Sequence, residues 1–111
     1  MDYDVILIGN AGLGAGNRKL GGLILANFLR LLGEREDKPE YIILWNEGVK
    51  IAAEDSSWIH HLKRLEEQGV KIISCLTCVE YLDLEGRIAV GEIKGMMQIQ
   101  EILFEKRVLT V

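Results

Sequence analysis

Scarcity narrows this sequence before any motif does. Only two cysteines and one proline occur in 111 residues, and 13 Lys and Arg face 17 Asp and Glu, for a net charge of -4. A chain short of basic residues argues against nucleic-acid binding, which calls for a basic face. No apolar run approaches the roughly 20 residues that span a bilayer. The opening "MDYDVILIGN" lacks the basic start, long apolar core and small-residue cleavage site of a secretory leader. These absences lead us to expect a cytoplasmic protein that acts on neither nucleic acid nor membrane. In that compartment thiols stay reduced, so the spacing Cys75-x-x-Cys78 points to chemistry or metal rather than a structural staple.

What is present describes a single domain over residues 1–111, since 49% hydrophobic residues supply a real core and the length suits one compact unit. Three short runs, "YDVILIG" (3–9), "YIILWN" (41–46) and "VKIIS" (70–74), are apolar on both faces, the mark of parallel strands covered on each side. "RIAVGEI" (87–93) and "RVLTV" (107–111) are weaker strand candidates. Helical periodicity fills the gaps. Over 18–32, Leu20, Leu23, Ile24, Asn27, Phe28 and Leu31 trace one stripe and Leu25, Leu29 and Leu32 a second. A helix apolar on two sides must bury both, and a second copy of the chain is the expected cover for the outer one. Over 56–68, Trp58, Leu62 and Leu65 point inward, with Asp55 and Ser56 as N-cap candidates and Gly69 as C-cap. A last helix is expected over 96–105, with Met96, Ile99, Ile102 and Leu103 inward. The alternation predicts a three-layer α/β/α domain with a largely parallel sheet of about five strands.

In such sheets ligands gather at the carboxyl ends of strands. The first loop, "GNAGLGAGN", fails as a nucleotide fingerprint: Asn17 stands where G-x-G-x-x-G needs its last glycine, Ala15 follows Gly14 where a P-loop needs lysine, and no acidic residue closes the second strand. It reads as a tight strand-to-helix turn. "WNEGVK" offers Asn46 and Glu47 to a pocket, but the plainer reading is that Gly48 makes the turn. His60 and His61, about 100° apart on a helix, leave a zinc site short of its four ligands, so we expect solvated histidines and neither metal nor cofactor.

The third loop, "SCLTC", carries the chemistry. Cys75 is expected just past the third strand, with Thr77 capping a short helix that begins at Cys78. Such a helix end lowers a thiol's pKa and raises its thiolate fraction. Two inert buried thiols are the bland alternative. A thioredoxin-type pair fits poorly, because Leu76 and Thr77 lie between the cysteines and Gly86 leaves only a short helix beyond them. A persulfide carrier needs less: one accessible low-pKa cysteine, with a second thiol able to release the sulfur by exchange.

The segments "LIGNAGLGAG", "WNEGVK", "LEEQGVKIISCLTC" and "AVGEIKGMMQI", taken in order along the chain, resemble the DsrE-like sulfurtransferase superfamily, specifically its YedF-type selenium-metabolism branch. The resemblance implies a parallel α/β fold, homo-oligomers, and persulfide carriage on the cysteine after the third strand, here Cys75, with Cys78 as the assisting thiol. On this reading Asn10, Gly12, Gly14 and Asn46 are expected to line the mouth of the pocket, with Thr77 helping to stabilise the thiolate. Ala11, Leu76 and Glu47 depart from the branch's usual acidic, glycine and small residues. Members of the branch often carry an amino-terminal SirA/TusA-like domain. This chain starts at its first strand, so either such a sulfur-relay protein is a separate partner or this is an isolated domain. The rival reading is a non-catalytic oligomeric module with incidental thiols.

Overall fold

The computed structural model describes residues 1–111. The elements run β1 (Val5–Ile8), α1 (Arg18–Glu34), β2 (Tyr41–Leu44), a 3₁₀ helix (Asn46–Ala52), α2 (Ile59–Glu67), β3 (Lys71–Cys75), α3 (Leu76–Tyr81), β4 (Glu92–Lys94), α4 (Met96–Glu105) and β5 (Val108–Thr110). All five strands are parallel, in the order β4-β3-β2-β1-β5. No helix is long and apolar enough to cross a membrane.

Connection handedness explains the layers. From β1 to β4 each crossover steps one strand in the same direction, so right-handed connections put α1, α2 and α3 on one face. The step from β4 to β5 returns across the whole sheet, which sends α4 to the other face. Side chains along each strand alternate accordingly. Ile6, Ile8, Ile42, Leu44 and Ile72 join Leu25, Leu29, Leu62 and Leu65 in a core of 18 buried residues, while Val5, Leu7, Ile43, Ile73 and Cys75 pack with Ile99 of α4 in a core of six. The second face is thinly covered, because only one ten-residue helix lies on it.

Local chemistry sets the ends of the elements. The Asn17 side chain accepts from the Leu20 N–H at 2.9 Å and caps α1. At the end of α2, Gly69 donates to the Glu66 carbonyl and Val70 to that of Leu65, the paired bonds of a Schellman close. At its start, the Ser56 hydroxyl accepts from Trp58 N–H at 3.0 Å, one residue short of the helix.

Three expectations need correction. The run 87–93 is not one strand. Ile88 makes only an antiparallel bridge to Ala53, and the chain enters the sheet at Glu92. Gly91 is the reason: at φ +72° its backbone lies against the Ile72 carbonyl, where any Cβ would collide. Of the residues expected inward on α4, Ile99 alone is fully buried; Ile102 and Leu103 are half-buried and Met96 is exposed. Gly48 does not make a turn. It sits within the 3₁₀ helix, pressed on the Ile8 carbonyl at the end of β1.

Candidate functional site

The parallel sheet collects the ends of β2, β3 and β4 at one edge. There a cavity of about 680 Å³ opens, walled by Trp45, Asn46 and Glu47 after β2, by Cys75, Thr77, Cys78, Tyr81 and Leu82 of β3 and α3, and by Met96 at the start of α4. Both cysteines are reduced. Cys75 is the last residue of β3 and occupies the N-cap position of α3, so the helix begins at Leu76 rather than Cys78. Thr77 therefore lies in the first turn, and no side chain caps the helix. Thr77 still lines the cavity.

Both thiols wall the same cavity. They differ in access. Cys75 is 1% exposed, packed with Ile73 and Ile99, whereas Cys78 is half-buried where the two cores meet. The Sγ of Cys78 accepts the backbone N–H of Asn46 at 3.0 Å. Asn46 can aim that N–H because it adopts φ +51°, a left-handed conformation that asparagine tolerates better than most residues. Contrary to the low pKa expected of a helix end, burial pushes the Cys78 thiol up. The Asn46 N–H works the other way, and the neighbouring Cys75 adds to the rise. Desolvation disfavours the thiolate more than one backbone dipole restores it. Iodoacetamide labelling of Cys78 is accordingly expected to rise with pH about a midpoint above the ordinary thiol value of about 8.5. A midpoint below that value, followed by peptide mapping of the label, would refute the burial argument.

Asn10, Gly12 and Gly14 lie elsewhere. With Asn17, Arg18 and Lys50 they line a separate polar cavity of about 470 Å³ over the end of β1. The strand order explains the division, since β2 lies between β1 and β3. Glu47 borders both cavities. It pairs with Lys50 at 2.6 Å, and that contact holds its carboxyl below the usual range.

No protein-family model matches the sequence, and no curated protein matches it either. Solved structures do. The fold is shared. A protein of unknown function, MTH1491 from Methanobacterium thermoautotrophicum, superposes with a TM-score of 0.69 at 17% identity, covering 99% of this chain and 100% of its own. The ychN protein from E. coli gives 0.69 at 20% identity, covering 98% and 99%. A conserved protein of unknown function, BT1422 from Bacteroides thetaiotaomicron, gives 0.64 at 20% identity, covering 97% and 95%. At these identities the likeness extends to the α/β fold over the whole chain.

Four wall residues escaped the sequence reading: Trp45, Tyr81, Leu82 and Met96. Two of them carried a signal. Tyr81 and Leu82 stand three and four residues after Cys78, the spacing that puts side chains on one helical face. His60 and His61 lie on α2, outside the cysteine cavity; His61 lies near Arg30 and Arg64, and burial lowers its pKa. No three His, Cys, Asp or Glu side chains gather as metal ligands.

Proposed function

We propose that the protein carries sulfane sulfur as a persulfide on the cysteine pair that closes β3, and hands it to the thiol of a partner. One observation carries the reading: two reduced thiols wall one open cavity at the strand ends, with the Asn46 N–H directed at the outer sulfur. The resemblance to DsrE-like sulfurtransferases assigns the sulfur to Cys75. The exposures favour the opposite order, with sulfur entering at Cys78 and Cys75 standing behind it.

Transfer to a partner thiol balances without a further redox partner, whereas release through Cys75 needs an external dithiol. The Cys78 thiolate attacks the outer sulfur of a donor persulfide, R–S–SH. A new S–S bond forms on Cys78 Sγ, the donor's S–S bond breaks, and the donor leaves as R–S⁻. A partner thiolate then takes the outer sulfur in the same way and restores Cys78. When Cys75 instead attacks Cys78 Sγ, a Cys75–Cys78 disulfide forms and HS⁻ leaves. An external dithiol then reduces that disulfide. Selenium would follow the same steps. A separate SirA/TusA-like relay protein is the partner we propose for the exchange.

Incubation with a persulfide donor followed by intact mass spectrometry tests the reading. Wild type is expected to gain the mass of one sulfur atom, removable by dithiothreitol. Cys78→Ser is expected to lose at least nine-tenths of the loading. Cys75→Ser is expected to load normally and hold its sulfur longer, having lost the resolving thiol. Loading that survives Cys78→Ser but not Cys75→Ser would return the sulfur to Cys75. No gain on wild type would favour an assembly module with incidental thiols, which the burial of Cys75 and the raised Cys78 pKa also suit.

A further inference from the structure

The thiol cavity is far larger than the atom it would receive. At about 680 Å³ it falls within the range of small-molecule sites, roughly 300–1,000 Å³. A water molecule claims only about 30 Å³ of liquid, and a transferred sulfur atom is of the same order. The remaining space suits the body of the molecule that brings the sulfur. Trp45, Tyr81, Leu82 and Met96 wall that space with rings, a branched chain and a thioether. Tyr81 is 86% exposed and Met96 45%, so both hold apolar surface that nothing in the chain covers.

No cation lines this space: its walls hold no Lys, Arg or His. Glu47 is the one charged wall residue, and Lys50, which lines the polar cavity instead, already holds it at 2.6 Å. Lys94 stands opposite Cys75 in the β3–β4 register, yet its ammonium pairs with Glu92 at 3.3 Å. The cavity over β1 differs, with both Arg18 and Lys50 in its wall. A carboxylate or sulfonate entering the thiol cavity would give up water and gain no counter-charge, which is costly. An uncharged body gives up little and covers the exposed ring and thioether.

We infer that the sulfur donor of this site is a low-molecular-weight persulfide with an uncharged aromatic or aliphatic body, which packs on Tyr81 and Met96 while its outer sulfur meets Cys78. The inference rests on the persulfide reading and adds the chemical class of R in R–S–SH. The Cys78 thiolate takes the outer sulfur, the donor's S–S bond breaks, Cys78–S–SH forms, and R–S⁻ leaves to solvent. No oxidant or reductant enters the step. Anionic donors, thiosulfate and glutathione persulfide among them, are the poor substrates.

Two donors of one shape test this: benzyl persulfide and its para-carboxylate, with loading of the full chain followed by intact mass spectrometry. Each rate is taken relative to the same donor's rate with a free thiol. The neutral donor is expected to load wild type at least about tenfold faster. Tyr81→Ala is expected to slow the neutral donor about fivefold, while iodoacetamide, too small to span the cavity, still alkylates Cys78 at the wild-type rate. Met96→Lys, at an exposed position, is expected to quicken the carboxylate donor about tenfold by supplying the missing cation. Equal loading from the two donors, or a carboxylate donor indifferent to Met96→Lys, would overturn the donor class and leave persulfide carriage standing. Sulfur accepted only from a protein-borne persulfide would overturn it too, and would give the cavity to a protein segment. No loading from any donor would overturn persulfide carriage, and the donor class with it.

Discussion

Gly48→Ala is expected to destabilise the protein by about 3 kcal/mol, the upper part of the usual range for overpacking a tight site. A methyl group at Gly48 would land on the Ile8 carbonyl, with Asn10 N also within van der Waals range. The obstacle is backbone on both sides, so no side-chain rotation relieves it. The 3₁₀ helix must lift from the end of β1, and it carries Asn46, whose N–H holds Cys78. Urea denaturation measures the first effect. The second is read by Cys78 alkylation at fixed pH, which should quicken as the cavity wall retreats. A stability change within about 0.5 kcal/mol, the scale of an ordinary surface substitution, would show that the contact is not tight.

Leu25→Ala should cost about 3–5 kcal/mol, because a fully buried leucine leaves a cavity that its neighbours fill only in part. That is a large share of the roughly 5–15 kcal/mol that holds a domain together. Leu23→Ala, two residues earlier on the outer stripe, should cost the single chain less than about 1 kcal/mol. Both are measured by denaturant unfolding at dilutions where the chain is monomeric. Equal losses would mean that the two stripes of α1 do not divide between core and surface as described.

That division shows how far the sequence could be read. The two stripes over 18–32 were visible because helical periodicity repeats every few residues, and the three runs apolar on both faces marked β1, β2 and β3. The bounds of α4 agree with the expected 96–105. Contacts between distant residues left no local signal. Gly48 looked like a turn residue, but the carbonyl that demands glycine belongs to Ile8, forty positions earlier. Asn46 and Cys78 are 32 residues apart, and their bond depends on a left-handed backbone that sequence does not announce. The glycine-rich loop and the cysteines were assigned to one mouth, since each follows a strand. Only the strand order, with β2 between them, separates the two. The thiol pKa was read from a helix end, and desolvation, which depends on neighbours from several segments, outweighed it.

The 3₁₀ helix after β2 is also a party wall. Glu47 faces the polar cavity over β1 and the thiol cavity over β3, and the adjacent residue's N–H is spent on Cys78. The Glu47 carboxylate holds Lys50 on one side, one residue along from the amide that holds the Cys78 thiol on the other. The two cavities are separate rooms with one residue, Glu47, in the wall of both.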